Sequence, residues 1–133
     1  MVVAVPVYED GTIFHNASYA PRFAVYNVEK NAKTLLRTVR NPRAELAQPE
    51  CLSSFECSCP DELTQDTTHI LSHYHLIEIL HDCDVVLAKS ICGNTKRIFE
   101  YVGISVYKIP PIIQQEQHAI NNYIVGISHD NHL

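Results

Sequence analysis

The chain has 133 residues, of which 46% are hydrophobic and 19% are charged, and this composition suits one domain with a hydrophobic core. Its formal net charge of −5 offers no surplus of cations to neutralise phosphates, so we expect no general binding to nucleic acid or to an anionic membrane. No apolar run approaches the ~18 residues that cross a bilayer. The opening residues lack a basic leader and a cleavage site, so we expect a strand there and a cytoplasmic protein.

Five cysteines and eight histidines are many for a chain of this length. Without a secretory signal, the cysteines are expected to be reduced thiols or metal ligands rather than members of a disulfide framework. Together with the histidines, they favour binding of a soft metal, although composition alone does not identify one.

An antiparallel meander is predicted for the first third of the chain. Val2–Val7 is apolar throughout and predicts a central strand, and Arg22–Glu29 and Thr34–Arg40 predict two more. Residues 9–11 predict a turn, and Lys30 with Asn31 predicts a hairpin connection. Consecutive strands with short links are typical of a meander.

Two helices are predicted from periodic apolar residues. The first begins near Thr68 and carries Ile70, Tyr74 and Ile77 at the i, i+4, i+7 spacing of a buried face. The second follows Pro110 and Pro111, and its predicted buried stripe is Ile113, Ile120, Ile124 and Ile127.

Residues 84–107 predict a strand, a turn, a helix and a further strand. Val85–Ala88 is the first strand, Lys89–Thr95 is the turn, and Ile104–Tyr107 is the second strand. Gly103 is expected to end the helix. The apolar positions of this helix at helical spacing are Ile91, Ile98 and Val102.

The predicted order is β-β-β-α-β-α-β-α within a single domain of residues 1–133. A meander followed by two crossover helices predicts a mixed five-stranded sheet with helices on both faces, a three-layer α/β/α fold of the ribonuclease H-like type. Residues 41–68 form a Cys- and Pro-rich insert without a convincing period, and a loop of this length is usually functional, disordered or ordered by a metal.

Stretches along nearly the whole chain resemble the dinitrogenase iron–molybdenum cofactor family. They are VVAVPV, His15 followed by APRFAVYNVE, LIEIL, DVVLA and GISVY. The resemblance implies a non-enzymatic protein that binds or carries an iron–sulfur or iron–molybdenum type cluster and exchanges it with protein donors or acceptors. It also implies a ligand role for His15. The chain departs from the family pattern where Asn16 and Ala17 replace the usual Phe-Gly after this histidine.

The turn after the strand at Val85–Ala88 supplies the other candidate cofactor ligands. Ligands of such units bind beyond the carboxyl ends of the strands, where this turn lies. A helix N-terminus favours the thiolate of Cys92, and Gly93 and Asn94 let backbone N–H groups approach an anion. We predict a cofactor site at His15, Cys92, Gly93 and Asn94; a small cysteine packed at the strand–helix junction is the alternative.

A second candidate site lies in and after the insert. Cys57 and Cys59 place two thiols within reach of one soft metal, and His73 and His75 lie at the start of the next helix. These four residues predict a Cys/His site for a cluster or a single transition metal ion. Incidental thiols and solvated histidines are the alternative.

Two other functions are compatible with parts of the pattern. A thiol redox protein could use the same cysteines, although the chain has no Cys-x-x-Cys motif. A nuclease would need clustered carboxylates that hold two metal ions, and the first strand carries no acid, so topology alone does not bring that activity.

Overall fold

The structure is a computed structural model that describes residues 1–30, 32–41, 56–57 and 67–130, without the side chains of 56–57, 67–73 and 128–130. The elements in chain order are β1 (Val2–Val7), a short 3₁₀ helix (Ala17–Tyr19), β2 (Arg22–Glu29), β3 (Ala32–Arg40), β4 (Glu56–Cys57), α1 (Thr67–Leu80), β5 (Val85–Ala88), β6 (Ile91–Cys92), α2 (Gly93–Tyr101), β7 (Ser105–Lys108) and α3 (Glu116–Asp130).

Five of the strands form one mixed sheet with the spatial order β3-β2-β1-β5-β7. The strand β2 pairs antiparallel with β1 and β3, whereas β5 pairs parallel with β1 and β7. The antiparallel meander and the mixed five-stranded sheet predicted from the sequence are therefore confirmed. The ribonuclease H-like assignment stays a prediction.

Side chains alternate across β1 and fill two separate hydrophobic cores. Val3 and Val5 belong to the core that includes Ile120 of α3. Ala4 belongs to the opposite core, which includes Leu80 of α1 and residues of α2. Successive residues of a strand point to opposite faces, so one buried central strand supports helices on both sides. This arrangement confirms the three-layer α/β/α architecture.

The buried face of α1 differs from the predicted one. Tyr74 is 52% exposed, whereas Leu76 and Leu80 are fully buried against the sheet. Ile77 packs against the same core and is only partly buried. This helix carries apolar residues around most of its circumference, so its tertiary partner, rather than its periodicity, selects the face that is buried.

The predicted turn at Lys89–Thr95 is shorter than expected. Ile91–Cys92 forms β6, which pairs parallel with β4, and α2 begins directly at Gly93. The predicted helical stripe is wrong at both ends, because Ile91 lies in a strand and Val102 is 48% exposed. The buried residues of α2 are Gly93, Thr95 and Phe99.

The end of α2 agrees with the prediction, and the predicted stripe of α3 is wrong at Ile113, which lies before the helix begins at Glu116. Gly103 has a φ of +90°, a left-handed conformation that favours glycine and ends a helix. Ile120 and Ile124 are buried as predicted, and Ile113 packs against the same core from a position before α3. Among the helices of the described residues, none is long and apolar enough to cross a membrane.

Candidate functional site

The two loops that carry the predicted cofactor ligands lie at the same edge of the sheet. β1 and β5 are neighbouring parallel strands, so their carboxyl ends meet at one edge. The loop after Val7 carries His15, and the turn after Ala88 leads to Cys92. Parallel pairing of β1 and β5 therefore places both candidate segments at the end where open α/β sheets bind their ligands.

Hydrogen bonds join these two segments directly. Asn16 and Ser90 form a parallel β-bridge, and the backbone N–H of Ala17 donates to the carbonyl of Ser90 at 2.8 Å. The Ser90 hydroxyl donates to the backbone carbonyl of His15. The predicted neighbourhood of the His15 loop and the turn before Cys92 is thus present in the backbone.

Three buried polar residues hold the shape of this loop. The Asn16 side chain accepts from the N–H of Ser18 at 2.9 Å and caps the 3₁₀ helix. Ser18 Oγ accepts from the N–H of Cys92 at 2.9 Å, and Asn41 Nδ2 donates to the carbonyl of Ser18 at 3.1 Å. Sequence reasoning missed these residues, although the Asn-x-Ser spacing at Asn16 is a local capping signal.

The imidazole of His15 lies on an aromatic support. Its ring stacks on Phe14 at a centroid distance of 4.9 Å, and Phe14 in turn makes an edge contact with Tyr8 at 5.0 Å. His15 is half-buried. The stack restricts the orientation of the ring, and a histidine ring nitrogen is a common metal ligand.

Cys92 occupies the N-cap position of α2 and is fully buried. Gly93, the first residue of α2, is buried as well. Asn94 is half-buried, and its side-chain oxygen accepts from Arg97. In this conformation the thiol of Cys92 packs at the strand–helix junction, which matches the alternative interpretation of this cysteine.

Lys89 provides a positive charge on the same turn. Its Nζ donates to the carbonyl of Pro111 at 3.2 Å. Partial removal from water lowers the pKa of Lys89. The lysine therefore links the turn after β5 to the loop before α3 and adds a cation at this end of the sheet.

Backbone hydrogen bonds connect the start of α3 to the loop that precedes His15. The N–H of Ile13 donates to the carbonyl of Gln114 at 2.8 Å, and the N–H of Glu116 donates to the carbonyl of Gly11 at 3.0 Å. Thr12 and Gln115 form an antiparallel bridge between these contacts. The loop is thus fixed on one side by the Ser90 turn and on the other by the last helix.

An open cleft of about 510 Å³ lies along the first part of this loop. Its lining residues are Tyr8, Glu9, Asp10 and Thr12. The backbone N–H of Thr12 donates to Asp10 Oδ1 at 2.9 Å, and hydrogen bonds from Thr12 lower the pKa of that carboxyl group. Tyr8 belongs both to this cleft and to the aromatic support of His15.

The residues of the second predicted site are only partly described. Cys57 lies in β4 and is in register with Cys92 of β6. Cys59 and the side chain of His73 lie outside the described part of the chain, and His75 is exposed on α1. Among the described residues, no group of three or more His, Cys, Asp or Glu side chains could hold a metal ion. The Cys/His site stays a prediction.

The fold and the loop contacts define a small three-layer α/β protein with a candidate binding edge beside His15. The family model described as dinitrogenase iron–molybdenum cofactor matches residues 1–126, and the chain belongs to this family. No curated protein matches the sequence.

Two solved structures share the fold. The crystal structure of PH0822 superposes with a TM-score of 0.62 at 17% identity and covers 95% of this chain and 91% of that one. The mj0327 protein from Methanocaldococcus jannaschii, provisionally described as a dinitrogenase, gives a TM-score of 0.55 at 13% identity, with coverages of 95% and 89%.

Proposed function

We propose that this chain is a non-enzymatic carrier of an iron–sulfur or iron–molybdenum type metallocluster, with the imidazole of His15 as a ligand. Membership of the family supports a cofactor-related role. The observation that carries the proposal is the hydrogen-bonded contact between the His15 loop and Ser90 at the carboxyl ends of β1 and β5. Ligands of open α/β sheets bind in this position.

The environment of His15 suits a ligand that must bind and later release its cargo. Neutral imidazole is a common ligand of iron and other transition metals. The stack on Phe14 restricts the ring before binding, so less side-chain entropy is lost when a metal is bound. A ligand on a half-buried loop, rather than inside a closed cage, leaves the cluster accessible to a protein acceptor.

The start of α2 is the proposed contact for the negative charge of the cluster. Gly93 and Asn94 are the first residues of this helix, whose N-terminus carries a partial positive charge. Lys89 adds a full charge on the preceding turn. Direct ligation by Cys92 requires its buried thiol to become accessible, so we assign the ligand role to His15 first.

Simple metal binding by the insert is the second candidate function. It would use Cys57, Cys59, His73 and His75 to hold one transition metal ion. The parallel pairing of Cys57 with Cys92 supports it, because this pairing brings the backbone of the insert to the edge that carries the His15 loop. In both proposals the protein acts in the cytoplasm, with a protein donor or acceptor of the metal as partner.

Anaerobic reconstitution with ferrous iron and sulfide tests the leading proposal. We expect iron and sulfide to remain with the wild-type chain after desalting and to give charge-transfer absorption, and we expect His15→Ala to lose most of both. His81→Ala is the matched control, because His81 is exposed and precedes β5 at the opposite edge of the sheet.

The outcome separates the two candidates. Equal iron retention by wild type and His15→Ala would contradict the leading proposal. If a Cys57→Ser/Cys59→Ser double variant loses the metal while His15→Ala keeps it, the insert is the metal site. Molybdenum analysis of the anaerobically purified protein identifies the class of cluster.

A further inference from the structure

Two cysteines occupy directly paired positions in the short ladder between β4 and β6. Cys57 is in register with Cys92, and the strands are parallel. Neighbouring strands of a sheet lie about 5 Å apart. Cα atoms joined by a disulfide are usually separated by about 4.4–6.8 Å, so this register places the two residues at a distance that a disulfide can span.

We propose that Cys57 and Cys92 form a redox pair that closes to an intramolecular disulfide by exchange with a small-molecule disulfide such as oxidised glutathione. The pair is distant in sequence and is joined only by the fold. Its chemistry does not depend on cluster binding at His15, so the two proposals stand or fall separately.

The burial of Cys92 fixes the order of the exchange. Cys92 is fully buried, so a small-molecule disulfide does not reach its sulfur from solvent. The Cys57 thiolate therefore attacks first, forms a mixed disulfide with one glutathione and releases the other as a thiolate. The Cys92 thiolate then attacks the Cys57 sulfur, forms the intramolecular bond and expels the second glutathione.

This sequence of steps balances. Two cysteine thiols lose two protons and two electrons and become one disulfide. Oxidised glutathione accepts both electrons and both protons and becomes two molecules of reduced glutathione. No other oxidant is required.

The position of the other described cysteine argues for the specificity of the pair. Cys83 precedes β5, whereas Cys92 follows the carboxyl end of the same strand, so β5 separates the two cysteines. The register of β4 with β6 makes Cys57 the neighbour of Cys92. Closure would tether β4 to the turn that supports the histidine loop, because Cys92 donates its backbone N–H to Ser18.

Peptide mapping of the full chain tests the pair. The reduced protein is incubated with oxidised glutathione, quenched with acid, alkylated and analysed by mass spectrometry. We expect the loss of two thiols and one cross-linked peptide that contains Cys57 and Cys92. The variant Cys59→Ser is the matched control, because it removes a cysteine two positions away and should keep the cross-link. The variant Cys57→Ser should abolish it and leave Cys92 without a glutathione adduct.

The variant Cys92→Ala should trap the intermediate as a lasting glutathione adduct on Cys57. Alanine replaces a buried cysteine without introducing a polar group. If this variant does not fold, the comparison of Cys57→Ser with Cys59→Ser still decides the question. A dominant bond from Cys57 to Cys51 or Cys59, or a wild-type adduct without the second exchange, would overturn the proposal. Retention of the cross-link by His15→Ala would show that it is independent of cluster binding.

Discussion

The Ser90 hydroxyl donates a hydrogen bond to the backbone carbonyl of His15 and so connects the ends of two neighbouring parallel strands. Ser90 is buried, and its own carbonyl accepts from Ala17. This hydrogen bond holds the backbone of His15 and does not involve its imidazole ring. The backbone position of the proposed ligand is therefore held by a residue that is distant in the sequence.

Replacement of Ser90 by alanine should loosen this support. The His15 carbonyl would lose its buried donor, and we expect the free energy of unfolding to fall by about 1–2 kcal/mol. Urea denaturation measures this change, and hydrogen exchange at the Ala17 amide should become faster. Ser105→Ala is the control, because Ser105 is exposed on β7, and its effect should stay within about 0.5 kcal/mol. Equal effects of the two variants would contradict the supporting role of Ser90.

Gly11 and Gly103 form a matched pair for testing the loop before His15. Their φ angles are +86° and +90°, so alanine at either position adopts a left-handed conformation that costs about 1 kcal/mol. A Cβ at Gly103 has no heavy atom within 4 Å, whereas one at Gly11 lies 3.3 Å from Glu116 Oε1.

We therefore expect Gly11→Ala to lower the free energy of unfolding more than Gly103→Ala. It should also reduce iron retention in the reconstitution assay, because Gly11 accepts the N–H of Glu116 at the fastening of the loop. Gly103→Ala should retain iron as the wild type does. Thermal unfolding and iron analysis of the two variants provide the comparison, and an equal loss of iron in both would count against a specific role of the loop.

The raised pKa of the Cys83 thiol leads us to expect a loss of stability in alkaline solution. Burial raises the pKa of Cys83 from 9.0 to about 12, and the negative charge of Asp82 acts in the same direction. The unfolded chain ionises this thiol at lower pH than the native protein does. This contribution to stability is therefore complete below about pH 9 and declines as the pH rises from there towards about 12.

Urea denaturation at pH 8 and at pH 10 measures this decline. Cys83→Ala should make this decline in stability smaller. Tyr26→Phe is a comparison variant, because burial also raises the pKa of Tyr26 to about 12. A Cys83→Ala variant with the same alkaline slope as the wild type would refute the assignment.

We expect the ion pair between Arg37 and Asp82 to make a contribution to the free energy of unfolding that is lost in acid. Arg37 Nη1 and Nη2 donate to the two Asp82 carboxylate oxygens at 2.9 and 2.6 Å and lower the pKa of Asp82. Both side chains are about a third or more exposed, so screening limits the contribution to about 0.5 kcal/mol. Because the native pKa is depressed, this contribution is present at neutral pH and disappears as the pH falls below about 4.

Asp82→Asn should therefore be less stable than the wild type at pH 7, and the difference should close in acid and in high salt. Glu9→Gln is the control, since the Glu9–Arg22 pair is far more exposed at Glu9 and should contribute nothing measurable. A pH-independent difference for Asp82→Asn would show that the charge is not its cause.

The framework of the fold could be predicted because its signals are local. Val2–Val7 is continuously apolar, and that pattern is sufficient for a central strand buried on both faces. The face of α1 could not be predicted in this way, since Tyr74 and Leu76 are both apolar and only contact with the sheet distinguishes them. The strand β6 depends on pairing with β4, a non-local partner without a periodic pattern of its own.

The residues of the candidate site show the same contrast between local and non-local signals. The ligand role of His15 is implied by the resemblance to the family and stays a prediction, whereas its place in a loop after the first strand follows from the local pattern of the sequence. The support of that loop could not be predicted in this way, because Ser18 and Asn41 are polar residues of the kind usually found at the surface, yet both are buried. Their burial is explained only by hydrogen bonds to residues distant in the chain.

The fastening of the first loop by residues 114–116 has a consequence for biosynthesis. A ribosome releases β1 and the histidine loop early, but the backbone groups that hold Gly11 and Ile13 emerge after all five strands of the main sheet. Domains fold as their residues become available during synthesis, so this loop is the last part of the edge to be completed. A nascent chain that stops before Gln114 therefore has the five strands of the main sheet without the backbone contacts that hold Gly11 and Ile13.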